Sequence, residues 1–404
     1  MQVLQIFLST LAVIGPIVLA LCSTHFASKL YVVASDRFWS QWRPREVEAE
    51  AALMIPADVR KPSSFADVCL VDDAAKAAHK AATLIQKSFR GDAVVTSVLP
   101  LAAIFCLLIQ VVFFPQGYLS IGLVGAELAC LFLLVCRVWS GHGPTSEWVR
   151  QRTVSELLRR EQYMALAALG PYFTRLENDR IEVAKVRLAS IPSDGPSDVF
   201  SHLELSRADG LSEVFSQQGR VELEGYSLRE RILSYIHYRI RKQGELWMPL
   251  SSKRCELEQH LLNSCVRFVV VLALVVAAVH LGQQIFHLAG PPAPIVPQNQ
   301  EGLFHHLVIL IGAFLPPLSA WLLSLQQLRN CVILGRLYQG TAGRLVKYLE
   351  PLKQLLQDLD ASAQGELTIL HRFQRLVMAA ETELTHELVA WQCIVHRDHF
   401  ELSA

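Results

Sequence analysis

Two long apolar runs divide the polar parts of the chain. From Ala93 to Cys136 the sole charged residue is Glu127, and from Phe268 to Gly302 it is Glu301. A helix crosses a bilayer core of about 30 Å with about 20 apolar residues, so each run is long enough for two crossings. Turn-forming residues mark the break in each. Pro115-Gln116-Gly117 predicts spans over Ala93–Phe114 and Tyr118–Cys136, and the Pro-rich stretch from Gly290 to Gly302 predicts spans over Phe268–Phe286 and Leu303–Leu328. Each pair is a membrane hairpin. Residues 1–28 are also free of formal charge, and Leu4–Cys22 is long enough for a thin span. That segment lacks a basic n-region and has Leu21 where a cleavable signal needs a small residue, which predicts an uncleaved N-terminal transmembrane segment. The other reading is a buried helix of a domain continuing into the Trp39–Trp42 region.

The polar parts carry helical periodicity. Helices are predicted over Asp72–Phe89, Trp148–Arg187, Arg229–Asn263 and Thr341–Glu401, the last broken near Ala361–Gly365. The Ser-, Asp- and Gly-rich stretch Ser190–Glu224 has no strong period. The predicted organisation is an N-terminal span (1–28), a cytoplasmic connector (29–71), a helix-hairpin-helix unit (72–188), a polar cytoplasmic linker (189–228) and a second such unit (229–404). The fold class is all-α, a polytopic helical membrane protein with long cytoplasmic helices.

Charge gives the hairpins a direction. Lys76, Lys80, Lys87 and Arg90 precede the first, and Arg137, Arg150, Arg152, Arg159 and Arg160 follow it; neither hairpin connector holds a Lys or Arg. By the positive-inside rule the connectors lie outside and the polar mass is cytoplasmic. Composition fits this picture: of 404 residues 52% are hydrophobic and 18% charged, with a mean hydropathy of +0.31. The balance of 37 basic against 37 acidic residues argues against a nucleic-acid binder. Nine cysteines without a CxxC pair imply neither a disulfide framework nor a zinc site.

The chemistry is sparse. No phosphate-binding loop or dinucleotide fingerprint is present, and His386-Glu387 is followed by Ala390 where a zincin helix needs histidine. His396 and His399 beside Glu401 read as a solvated tail, and His280, His287, His305 and His306 as an interfacial cluster at the outer face. No enzyme activity, cofactor or metal is expected. Glu127 near the middle of its span is the sharpest single residue, because an ionised carboxylate in a bilayer must face water, a partner or the bundle interior. It is either a pore-lining or proton-linked group, with Gln110 and Ser97 as intramembrane polar companions, or a neutral structural acid bonded to Thr96, Ser97 or Gln110. Pro316 and Pro317 interrupt the last span and form a candidate hinge. Gly122, Gly125 and Ala126, like Ala273 and Ala277, permit close helix approach. Trp139, Trp148, Tyr118 and Trp321 are candidate interface anchors.

Directly after the first hairpin, Trp148, Arg152, Glu156 and Arg159 stand at spacings that place them on one helical face, where Arg152 and Glu156 can pair and Trp148 can anchor near the headgroups. The pattern resembles the W-x3-R-x3-E-x2-R signature of the SLATT superfamily, with Gln86–Arg90 as the helix leading into the hairpin. Tyr235, Arg239, Ile240, Gln243 and Trp247 resemble the leading helix of related members, and Glu383, Glu387 and Trp391 their acidic, Trp-bearing exit helix. The likeness covers roughly Ala74–Tyr172 and Ile232–Phe400. It implies a bacterial inner-membrane, two-helix effector, here in duplicated form, that oligomerises and forms or gates a pore in a nucleotide-linked conflict or anti-phage system, with these residues as a juxtamembrane switch. The chain departs from that pattern in its two hairpins, its N-terminal apolar segment and its lack of a nucleotide-sensing motif, so a separate cytoplasmic nucleotide-producing or nucleotide-sensing protein is expected as partner. The alternative is a non-conducting membrane scaffold or signalling protein whose cytoplasmic helices bind a partner.

Overall fold

The computed structural model describes residues 55–56, 58–113, 118–140, 143–174, 176–190, 225–289, 301–361 and 365–402. The predicted N-terminal span, most of the connector 29–71, the linker core 191–224 and both hairpin turns lie outside them. The described residues contain no strand. Ten α-helices occur among them: α1 (Ala66–Phe113), α2 (Tyr118–Ser140), α3 (Gly143–Leu166), α4 (Glu177–Ser190), α5 (Leu228–Tyr235), α6 (Met248–Ala289), α7 (Glu301–Arg329), α8 (Cys331–Val346), α9 (Leu349–Asp360) and α10 (Glu366–Leu402). A π-helical stretch, Ile236–Trp247, joins α5 to α6, and the N–H of Met248 closes it onto the Gln243 carbonyl five residues back.

The chain divides into two compact units. One holds Lys87–Gly143 and Leu257–Cys331, the other Ser40–Gln86, Pro144–Glu256 and Val332–Ala404. In the first, four helical segments are long and apolar enough to cross a membrane: Thr96–Phe113, Leu119–Cys136, a window within the helical run Leu228–Val279, and Val308–Leu325. Their large side chains face outward; Phe132 is 65% exposed, Phe268 67% and Leu274 66%. In water such surface would forfeit about 25 cal/mol for every Å² left unburied, whereas hydrocarbon solvates it. Packing inside this unit is light. Leu99, Ala103 and Cys130 are buried together, Phe105 meets Phe314 edge to face at 5.2 Å, and Gly312 lets Val276 approach α7.

The second unit is built differently. Val68 and Val71 of α1, Met164 and Leu166 of α3, Ile232, Ile240, Leu345, Leu352, Phe373 and Val377 join one buried cluster spread over every helix of the unit. Each helix contributes an apolar stripe at helical spacing, as in Leu349, Leu352 and Leu355 of α9.

Three departures from the sequence expectation have physical causes. The predicted Trp148–Arg187 helix is two helices. After Leu166 the chain enters a left-handed turn at Ala168 (φ 49°) and again at Gly170 (φ 56°), and the N–H groups of Ala168 and Leu169 return to Ala165 and Met164 in a Schellman cap. An alanine there costs about 1–2 kcal/mol, offset by the buried side chains that take the freed carbonyls. Tyr226 donates to Leu166 at 3.1 Å, Arg231 to the same oxygen at 3.2 Å and Gln374 to Ala168 at 2.7 Å. Second, the predicted Asp72–Phe89 helix and the first span are one 48-residue helix that accommodates Pro100. Third, helix resumes at Cys331 rather than Thr341, after a single left-handed residue, Asn330 (φ 43°), a conformation asparagine tolerates better than most side chains.

Candidate functional site

All ten of the sequence-predicted switch residues fall in the second unit, where α3 runs beside α10. Residues four apart on a helix share a face, so Trp148 and Arg152 on α3 look the same way, as do Glu387 and Trp391 on α10. Val149, Leu388 and Trp391 are buried against each other, ringed by Trp148, Leu334, Leu337 and Val395. Trp148 meets Trp391 edge to face at 5.2 Å, and the Arg152 guanidinium lies 4.0 Å above the Trp391 ring. Gln392 donates to the Thr153 hydroxyl beside them. A desolvated cation on an indole face is stabilised by about 2 kcal/mol, and Trp391 is only 1% exposed.

Glu387 sits one turn before Trp391 and is 7% exposed; its Oε1 has no hydrogen-bond partner. Burial pushes its carboxyl up to about 7, against the pull of Arg152 and with the push of the neighbouring Glu156. Burial also works against charge on Arg152, yet Tyr338, Glu387 and Glu156 together hold it above the ordinary arginine value. Glu156 shows the opposite balance to Glu387. Against partial desolvation of this half-buried side chain, Arg159, Arg239 and Arg152 hold it below the usual glutamate range, and it accepts a hydrogen bond from Arg159 at 2.8 Å.

A turn and a half earlier on α10, Glu381 is fixed. Arg239 of the π-helical stretch donates to both its oxygens, at 2.8 and 2.6 Å, and the Tyr235 hydroxyl adds a third bond at 3.2 Å. The Tyr163 ring stacks 4.9 Å from the same guanidinium. Burial drives the Tyr163 phenol up to about 12 and Tyr235 well above its ordinary value, so both stay neutral donors. Asp67 makes a comparable node, accepting both of its bonds from Arg231 at 2.8 Å and one from Arg180 at 2.8 Å, with all three side chains at most 1% exposed. Glu161 holds Arg187 at 2.7 Å and accepts from Tyr172 at 3.0 Å.

Several sequence-predicted pairings are rearranged. Arg152 stacks on Trp391 while Arg159, about two turns on, takes Glu156. Trp148 packs on Trp391. Arg239 is held by Glu381 rather than by a residue named from the motif, and Glu383 pairs at the surface with Arg344 at 2.7 Å. Gln243 is half-buried and Trp247 is 46% exposed on the π-helical stretch; neither joins the seam. In the first unit, Gln110 donates to Ser120 at 3.1 Å. Glu127 and Ser97 are half-buried, and Glu127 makes no hydrogen bond or ion pair among the described residues. Pro316 and Pro317 lie inside an unbroken α7, where the Ser319 hydroxyl donates to the Pro316 carbonyl at 2.7 Å. His306 meets Phe113 at 5.8 Å. The side chains of Tyr118, Trp139, His280, His287, His305, His396 and His399 lie outside the described residues. No group of three His, Cys, Asp or Glu converges on a metal-sized site among the described residues.

Sequence reasoning passed over Asp67, Arg180, Arg231, Thr153, Tyr338, Glu381 and Gln392. One signal was present for Glu381. Val377, Glu381, Leu384, Leu388 and Trp391 repeat at spacings of four and three, which puts a carboxylate in a core register where only a buried partner can hold it. Compared with protein-family models, with curated proteins and with solved structures, the chain matches none.

Proposed function

We propose that this chain is a bacterial inner-membrane effector of the SLATT kind, in a duplicated form with two transmembrane hairpins and an additional N-terminal span. It assembles with further copies of itself and forms or gates a pore when a separate cytoplasmic nucleotide-producing or nucleotide-sensing protein delivers a cue. The observation that carries the reading is a pairing within one chain. Four apolar helices leave their large side chains outward, with at most 17% of any window buried, and a second unit with a charge-bearing core holds the signature residues Trp148, Arg152, Glu387 and Trp391 in one seam. Helices α1 and α6 supply residues to both units. In this reading Glu127 is the candidate pore-lining carboxylate, and Pro316 and Pro317 are the candidate hinge.

The test is flux. Purified full-length protein in liposomes passes ions or a small dye when activated, and Glu127→Gln alters that conductance; vesicles that stay sealed with every partner and nucleotide tested would overturn the pore. A non-conducting scaffold is the second reading, favoured by the close packing and buried ion pairs of the second unit, which suit a rigid docking body. Exchanging the hairpins for unrelated membrane anchors separates the two, since a scaffold keeps its activity and a pore loses it.

A further inference from the structure

Among the described residues, Glu387 is the one buried acid of α10 that has no ion pair. Four charged or titratable groups face it from the elements packed around it: Arg152 and Glu156 from α3, Arg239 from the π-helical stretch and Tyr338 from α8. Arg239 is already bound through two hydrogen bonds to Glu381. Arg159, the other cation of this face of α3, is bound to Glu156. That leaves Arg152, whose guanidinium meets the Tyr338 hydroxyl and lies over Trp391 instead of on the carboxylate. An arginine facing a buried carboxyl yet held by an indole and a neutral phenol describes a carboxyl that carries its proton, because an ionised acid with an orphan oxygen in this setting would draw onto itself a cation held only by neutral partners. The elevated carboxyl value, about 7, agrees with that geometry.

We propose that the α3–α10 seam is a proton-controlled contact: a proton on Glu387 leaves Arg152 stacked on Trp391, and loss of that proton to solvent draws Arg152 onto the Glu387 carboxylate and loosens the Trp148–Trp391 stack. The device rests on the reading of this seam as a switch and names the proton as one of its inputs. The carboxyl O–H gives its proton to solvent, and one guanidinium exchanges an indole face and the Tyr338 hydroxyl for the carboxylate oxygens. Glu156 works against ionisation of Glu387 through like charge, and its own pair with Arg159 stays in place throughout.

The experiment is fluorine NMR of full-length protein labelled with 5-fluorotryptophan in lipid nanodiscs, with the Trp148 and Trp391 resonances assigned by Trp148→Phe and Trp391→Phe. Both resonances are expected to move together between pH 5.5 and 8.5 with a midpoint near 7. Glu387→Gln, which has the shape of the protonated acid, holds them at their low-pH positions, and Arg152→Gln, which has no guanidinium to move, abolishes their coupled shift. His386→Asn leaves the titration unchanged and excludes the exposed neighbouring histidine. Resonances that stay fixed over this range, or that titrate alike in Glu387→Gln, overturn the proposal. Vesicle flux measured on the same protein keeps the two ideas apart, because sealed vesicles with titrating resonances count against the pore alone and leaking vesicles with fixed resonances count against the proton contact alone.

Discussion

Glu381 and Glu387 lie on one helix, both in core registers and both almost fully buried, yet their surroundings give them opposite states. Glu381 accepts two bonds from Arg239 and one from Tyr235. Glu387 has Arg152 within electrostatic reach but that cation is turned to an indole face. Burial alone therefore decides neither charge nor role. What decides is whether a guanidinium is delivered in a geometry that repays desolvation, and the π-helical stretch delivers Arg239 to Glu381 and nothing comparable to Glu387. The first acid is a fixed part of the core and the second is free to exchange a proton.

Removing the cation from the fixed pair should have the largest effect. Arg239→Ala leaves Glu381 buried and uncompensated and is expected to destabilise the second unit by about 3–5 kcal/mol, seen as a collapse of the thermal transition in detergent. An unchanged transition would mean that Glu381 reaches water.

The free acid gives a pH dependence with a definite sign. Its carboxyl is raised from the ordinary 4.5 to about 7 in the folded state, so the folded protein binds the extra proton between those values. The stability contributed by this one carboxyl is then fully present below the lower value, is lost as pH rises through the interval and levels off above the upper one. At about 1.36 kcal/mol per pH unit the whole slope amounts to roughly 3 kcal/mol, and Glu387→Gln should abolish it in urea titrations taken at a series of pH values.

Two smaller changes sharpen the same contrast. Trp391→Phe keeps an aromatic ring but offers Arg152 a weaker face and a smaller edge to Trp148, a loss of about 1–2 kcal/mol. Glu383→Ala removes a pair whose side chains are 44% and 29% exposed, and such pairs contribute about 0–1 kcal/mol. A large effect from Glu383, the acid singled out by spacing, with little from Arg239 would invert the account.

The membrane-sized helices were legible because length and composition alone define them, and Pro115 with Gly117 marks the first break without any tertiary knowledge. The division near Ala361–Gly365 was legible for a similar reason, since Gly365 stands between α9 and α10. The break after Leu166 was hidden because its left-handed residue is Ala168; the following Gly170-Pro171 was the sole local marker. The candidate seam was half legible. Spacing of four put Trp148 with Arg152 and Glu387 with Trp391, but nothing local shows that the two pairs meet. Partners such as Arg231 and Asp67, 164 positions apart, become neighbours only through tertiary folding.

The most direct measurement is infrared detection of the protonated carboxyl band in full-length protein in lipid at pH 6 and pH 8.5, recorded as the difference between the natural sequence and Glu387→Gln. A carboxylic C=O band is expected at pH 6 that is absent from Glu387→Gln and is replaced by carboxylate absorption at pH 8.5. A difference spectrum showing carboxylate at pH 6 would contradict it.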